Sequence, residues 1–238
     1  ELRTLMFYDL HMHSCLSPCA DNDMTPNNML NMGVIKGLDL MALTDHNTTA
    51  NLASFAKVAE MLPVEFVCGC ELQTSEEVHV VALFRELEEA LAFQPWIDAH
   101  MPIMKNDPQF FGDQLIVNEV DEVVHCKDEL LLVSLDTSVE ETIAGIHEHN
   151  GKAILAHVCD KANSINSQLG FIPPDLEYDG LEVMSMAERV EISEKQPWLS
   201  MRKTQWFIDS DAHQLWKISE PENSITEEEW QAFWGEAL

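Results

Sequence analysis

Two histidines, His11 and His13, stand at i and i+2 where the apolar run TLMFYDLHMHS gives out. In an extended segment alternate side chains point the same way, so Leu5, Phe7, Asp9, His11 and His13 are expected on one face of a first strand. Neutral imidazole is the commonest nitrogen ligand, and two on one face can hold one metal ion. Taken alone, the pair could equally be two surface residues. Further apolar runs end the same way and change that balance. The second ends in Thr44-Asp45-His46 and the third in Glu71; His79 opens a fourth. KAILAHV delivers His157, and WFIDSDAH delivers Asp211 and His213, again at i and i+2.

In a (β/α) barrel the C-terminal strand ends converge on one mouth, where chemistry sits. His11, His13, His46, Glu71, His79, His157, Asp211 and His213 are therefore expected in one cluster. So many imidazoles with two carboxylates exceed the needs of one ion. Two or three divalent ions sharing a bridging carboxylate are the natural count. Zn, Mn or Fe is favoured over Mg, because imidazoles dominate the set. Asp45 is expected behind an imidazole, orienting it. Plain alternatives stand beside these roles: Glu71 could cap a helix, and His79 could be exposed. His100, His125, His147 and His149 lack strand-end placement and are expected at the surface.

The elements that must position these residues follow from periodicity. Thr25 and Pro26 open a helix to about Lys36, stopped by Gly37; LDLMALTDH reads as a buried parallel strand. Thr48 to Leu62 has helical spacing, ended by Pro63; VEFVCGCEL and VHVVALF are strands joined by a short polar turn. Ser138 to His149 is a helix, KAILAHV, GLEVMSM and WFIDSDAH are strands, and TEEEWQAFWGEAL is a helix capped by Thr226. This alternation predicts an α/β fold with a parallel sheet over residues 1–238. Glu86 to about Leu135 interrupts it. A helix with Pro95 as a kink or break, then a hairpin turning near residues 120–122, is too short to bury much alone and reads as an elaboration.

Composition bounds the rest. The chain has 238 residues, 46% of them hydrophobic, and no run near the ~18 apolar residues of a membrane span. No signal peptide is evident, and the six cysteines, without CxxC or framework spacing, read as reduced thiols of a cytoplasmic protein. The net charge is −29. Such a surface is expected to repel duplex DNA and bulk RNA, and three divalent ions would leave about −23. The oligomeric state is not legible.

DLHMHS, LTDH, Glu71 with His79, AHV and SDAH, in this order, resemble the PHP (polymerase and histidinol phosphatase) family over residues 5–213. The resemblance implies a distorted seven-stranded (β/α) barrel, a two- or three-metal centre and phosphoesterase chemistry. Carried over, His11, His13, Glu71 and Asp211 would hold a first ion. Glu71 would bridge to a second with His79 and His157, and His46 and His213 would hold a third. The family places a further ligand shortly after the first motif. Asp21 is the closest chemical match, though displaced by an insertion, with Cys19 and Asp23 as rivals. The elaboration is shorter than the inserted domains of some relatives and is expected to fold over the mouth as a lid.

Clustered divalent ions suit phosphoester hydrolysis because they lower the pKa of bound water and neutralise phosphoryl charge. The expected activity is hydrolysis of a small phosphate ester, such as a nucleotide, a sugar phosphate or a short oligonucleotide end, with Glu71, Asp211 and His213 as catalytic residues. Lys161, four residues beyond His157, and Arg189, after GLEVMSM, are candidates for holding the phosphate. Two other readings compete. A C–N hydrolase of amidohydrolase type is disfavoured by the SDAH ending and the absence of an obvious carboxylated-lysine strand. A non-catalytic metal-binding module is disfavoured by the intact ligand set.

Overall fold

The structure is a computed structural model describing residues 5–159 and 162–235. In chain order come β1 (Leu5–Asp9), α1 (Pro26–Lys36), β2 (Leu40–Leu43), α2 (Leu52–Ala59), β3 (Glu65–Gln73) and β4 (His79–Phe84). Then follow α3 (Leu87–His100), β5 (Leu115–Val117), β6 (Val123–Cys126), α4 (Val139–Glu148), β7 (Lys152–Leu155) and α5 (Ile165–Leu169). The chain continues through β8 (Gly180–Glu182), α6 (Met186–Lys195), β9 (Gln205–Phe207), β10 (Ser224–Thr226) and α7 (Glu227–Trp234). One curled sheet runs in the order β10-β1-β2-β3-β4-β7-β8-β9 and forms a half-barrel. Seven of these strands are the expected ones. The eighth, β10, adds antiparallel to β1.

Strand polarity departs from the all-parallel expectation at one place. β4 pairs antiparallel with both β3 and β7, while the other pairs of the seven are parallel. The short turn after Gln73 leaves room for a hairpin but not for a crossover helix. Consequently β4 begins where its neighbours end, and His79 at its start shares a mouth with residues at their C-terminal ends. Strands buried on both faces explain the near-continuous apolar runs. Leu40, Ala42, Val81, Leu83 and Ile154 pack in one cluster, which α7 joins through Trp230 and Phe233. Met41, Leu43, Val80, Ala82 and Leu155 pack in the other, with residues of the flanking helices.

β1 ends earlier than the sequence suggests. Phe7 and Met12 pack with the same cluster, so side chains change sides between them, and the single face running from Leu5 to His13 does not persist. The reason lies opposite, in the segment after β9. Asp209 accepts the Leu10 N–H at 2.7 Å, and Asp9 accepts the Ser210 and Ser219 N–H groups at 3.1 and 2.9 Å. A parallel bridge between Met12 and Ala212 completes the seam. It sets the Asp211–His213 pair against the His11–His13 pair.

The elaboration packs against the segments that follow β1 and β2. α3 runs on through Pro95 and buries Phe93 and Ile97. The β5–β6 hairpin is held by the Leu115 N–H on the Cys15 carbonyl, by Asn51, and by Asn27 and Thr25 on Asp121. Gly112, with φ +109°, approaches so closely that a Cβ would lie 2.1 Å from the Pro18 carbonyl oxygen. The segment thus braces the loop between His13 and α1. Among the described residues no helix is long and apolar enough to cross a membrane.

Close packing behind the mouth gives a stability prediction. A Cβ on Gly69, in β3, would lie 2.6 Å from the Ala82 carbonyl oxygen and 3.1 Å from Thr44 Cγ2. Gly69→Ala is expected to push the hairpin apart at a cost of about 1–3 kcal/mol. Thermal melting of the metal-free protein should show a fall of ~2–4 °C per kcal/mol. An unchanged Tm would show that the hairpin has slack.

Candidate metal centre

Glu71 is the hub. It is 1% exposed and lies near the end of the buried part of β3, followed by buried Leu72. Its Oε1 lies 2.8 Å from His79 Nδ1 and 3.3 Å from both His11 Nε2 and His157 Nε2. Its Oε2 lies 3.2 Å from His13 Nε2 and 3.3 Å from His46 Nδ1. Asp211 Oδ1 completes the near side, 3.4 and 3.2 Å from His11 Nε2 and His13 Nε2. Among the described residues three donor groups emerge, each compact enough for one ion: His11, His13, Glu71 and Asp211; His46, Glu71 and His79; and His13, His46 and His213.

The hydrogen bonds fix which ring nitrogens are available. The Ser17 hydroxyl donates to Asp45 at 2.7 Å, so its oxygen accepts from His13 Nδ1 at 3.1 Å. Glu182 accepts from His11 Nδ1 at 2.8 Å. Both rings therefore turn Nε2 lone pairs toward each other, 3.3 Å apart. At the end of β3, Gln73 accepts from Nε2 of His79 on β4 at 3.1 Å, which aims the His79 Nδ1 lone pair at Glu71. Lone pairs so placed repel unless a cation lies among them. Donors 2.0–2.2 Å from an ion in tetrahedral array stand about 3.3–3.6 Å apart, close to the spacings found here. Glu71 Oε1 and His79 Nδ1, which face each other in the cluster, are buried without a hydrogen-bond partner among the described residues, which is rare for such groups. The donor set fits divalent ions.

The backbone carries matching strain. His157 (φ +30°), Asp211 (φ +50°) and Asn47 (φ +51°), next to His46, adopt left-handed conformations that residues other than glycine seldom take. Asn47 is secured by donating to the Leu131 and Val133 carbonyls of the elaboration.

Without a metal, protons relieve the crowding. Burial opposes a charge on His11, but Glu182, Glu71 and Asp211 overcome it and hold the imidazole well above its usual range. Burial likewise opposes, and Asp211 and Glu71 outweigh it, for His13, which rises to about 9. His46 is pushed well below the usual range, and His213 to about 4, by burial and by repulsion from His13. Metal uptake near pH 7 is thus expected to release about two protons, from His11 and His13. Calorimetry in buffers of different ionisation enthalpy counts them. A count near zero would show that both rings are already neutral.

Some expected residues lie elsewhere. Asp21 is exposed and joins none of the three donor groups; it touches the site through its N–H, which donates to the His213 carbonyl at 2.9 Å. Cys19 is exposed and Asp23 also joins no group, while burial and the charge of Glu71 push the Cys19 thiol to about 12. Arg189 is on α6, an element missed in the sequence, with its guanidinium 5.2 Å from the Trp206 ring centre instead of in the cluster. Lys161 lies outside the described residues. Asp45 reaches His13 only through Ser17. Glu182 and Gln73 were missed; Gln73 closes an apolar strand, the signal that singled out Glu71, whereas Glu182 lies inside the run GLEVMSM and is revealed as a strand end only by the fold.

Comparisons with known proteins agree with this geometry. The chain matches the PHP domain over residues 9–165. It is 32% identical over 79 residues to the 5'-3' exoribonuclease of Haemophilus influenzae, a stretch covering 32% of this chain and 28% of that protein. The chain therefore spans well under two thirds of that relative. Its fold is similar to a putative metal-dependent phosphoesterase of Bifidobacterium adolescentis (TM-score 0.63, 17% identity, 97% and 96% of the two chains). It is also similar to the lesion-specific endonuclease EndoQ of Pyrococcus furiosus (TM-score 0.63, 17% identity, 98% and 57%). Endonuclease Q has been crystallised with a 27-mer duplex carrying an abasic lesion at its active site. That finding overturns the expectation that duplex nucleic acid is excluded. Net charge sums the whole surface, whereas charges beyond about 8 Å are screened at physiological salt, so it does not measure the field at a mouth.

Proposed function

Because the chain belongs to the PHP domain family of metal-dependent phosphoesterases, we propose that it hydrolyses a phosphate ester at the Glu71 cluster. The observation that carries this reading is one buried carboxylate with five imidazoles at 2.8–3.3 Å from its two oxygens. His11, His13, Glu71 and Asp211 would hold one ion, and Glu71 with His79 and His157 a second. His46 and His213, beside His13, would hold a third. Bound there, divalent ions supply Lewis acidity toward a phosphoryl group and lower the pKa of water.

The chain's own part is to keep the donors ionised and aimed. Burial works against the Glu71 charge, yet His79 and His11 hold its carboxyl well below the usual range, so it stays anionic. Gln73, Ser17 and Glu182 fix ring orientation. His213 is the most open member, with its side chain 26% exposed, and with Asp211 beside it would be the ligand that meets substrate. The substrate class we assign is a nucleotide, a sugar phosphate or an oligonucleotide end. The likeness to an exoribonuclease supports it. A panel of phosphomonoesters, phosphodiesters and dihydropyrimidine-type amides, assayed with Mn or Zn, tests the reading. Turnover confined to P–O bonds is expected. Amide turnover would replace the reading, and uniform inactivity at full metal occupancy would leave a non-catalytic module.

A further inference from the structure

Glu182 closes β8, between the strands that lead to His157 and to Asp211. Its side chain is 1% exposed, and both carboxylate oxygens are used. Oε2 accepts from His11 Nδ1 at 2.8 Å, and Oε1 accepts the His157 N–H at 2.8 Å. Its main-chain carbonyl accepts the next N–H, from Val158, at 2.9 Å. One residue therefore takes both N–H groups flanking the strained His157 and the ring proton of His11. The two imidazoles lie nearly parallel, 21° apart with centres at 6.0 Å, and each presents Nε2 at 3.3 Å from Glu71 Oε1. Glu71 stands before this pair and Glu182 behind it.

We propose that Glu182 is a positioning residue that couples two parts of the metal cluster. Its carboxylate fixes His11 with the proton on Nδ1 and holds the His157 main chain in its left-handed turn, so both rings offer Nε2 toward the same Glu71 oxygen. This rests on the cluster holding divalent ions. The chemistry is specific to a carboxylate. Two donors converge on Glu182 from different segments, and only a group with two acceptors satisfies both. The anion also raises the basicity of the His11 ligand. An amide of the same shape has one acceptor and one NH2. Whichever way it turns, its NH2 meets either the His11 Nδ1–H or the His157 N–H. In the first case the His11 proton moves to Nε2, the nitrogen needed by the metal. In the second, the turn at His157 loses its anchor.

Glu182→Gln tests this through metal affinity, read by chelator competition and by the visible spectrum of the cobalt-substituted protein. Affinity is expected to fall about 10–100-fold, with the Co(II) spectrum changed and metal-free melting within a few degrees of wild type. Unchanged affinity and spectrum would overturn the proposal, as would a loss of metal matched by general unfolding. The wild-type protein gives a second measurement that needs no variant. Nitrogen NMR of the zinc-loaded protein is expected to show His11 bound through Nε2 with a slowly exchanging Nδ1 proton. Ligation through Nδ1 would overturn the proposal as well. Neither readout needs a substrate, so a protein that binds metal in a Glu182-dependent way yet hydrolyses no phosphate ester would sink the proposed function alone. A protein that takes up no divalent ion would sink both.

Discussion

Glu71→Gln is expected to lower kcat by at least a hundredfold, about 2.7 kcal/mol or more of transition-state stabilisation. That loss should exceed the loss from replacing any one histidine of the cluster. Each imidazole offers one lone pair, so removing it weakens one ion's site. Glu71 instead places Oε1 near His11, His79 and His157, and Oε2 near His13 and His46. An amide there keeps one acceptor and turns an NH2 toward the remaining imidazole lone pairs. It removes the negative charge shared by two donor groups and leaves a shape the fold accommodates. The effect should appear in kcat more than in KM, since contacts to the distal part of a substrate survive. Steady-state kinetics at saturating metal, beside Ala variants of His46, His79 and His157, measure it. Near-normal turnover in Glu71→Gln would show that this carboxylate does not bridge.

That Glu71 stands at the centre is visible in its neighbours before it is visible in its own position. His11 with His13, and Asp211 with His213, are legible because i, i+2 spacing at the end of an apolar run has few other meanings. The hairpin turn after Gln73 also explains His79. A member of the cluster at the start of a strand makes sense only if that strand is antiparallel to its neighbours, and β4 is. What escaped the sequence did so for local reasons. Arg189 was read as following a strand into the mouth, but Ser185 caps a helix there, accepting the Glu188 N–H, and the helix carries Arg189 to Trp206. Asp21 has suitable chemistry, but a turn closed by the Ala20 N–H on Ser17 and the Met24 N–H on Asp21 leaves its side chain exposed. Glu182 ends a strand of only three residues, too short to stand out by periodicity. Its role appears only when β8 is set beside the ends of β1 and β7.

Metal removal should be the largest perturbation of stability, and its pH dependence has a definite sign. Elemental analysis after supplementation is expected to find two or three divalent ions per chain, and Zn, Mn or Fe rather than Mg. At most one ion would refute a multinuclear centre. An ion present at a hundred times its Kd stabilises the fold by about 2.7 kcal/mol. For a chain of this size that is roughly 5–10 °C in Tm for each ion stripped by a chelator. In the metal-free chain His13 is raised from 6.5 to about 9 by Asp211 and Glu71, against the effect of burial. A raised histidine contributes stability that is complete below its unfolded value and lost as pH climbs through its folded one. The metal-free protein therefore loses this contribution between pH 6.5 and about 9. The loaded protein does not, because the ion occupies the lone pair and fewer protons compete for it as pH rises. The gap in Tm between loaded and metal-free protein should accordingly widen from pH 6.5 to 9. A gap that narrows over that range would mean that the buried imidazoles are not the groups that hold the metal.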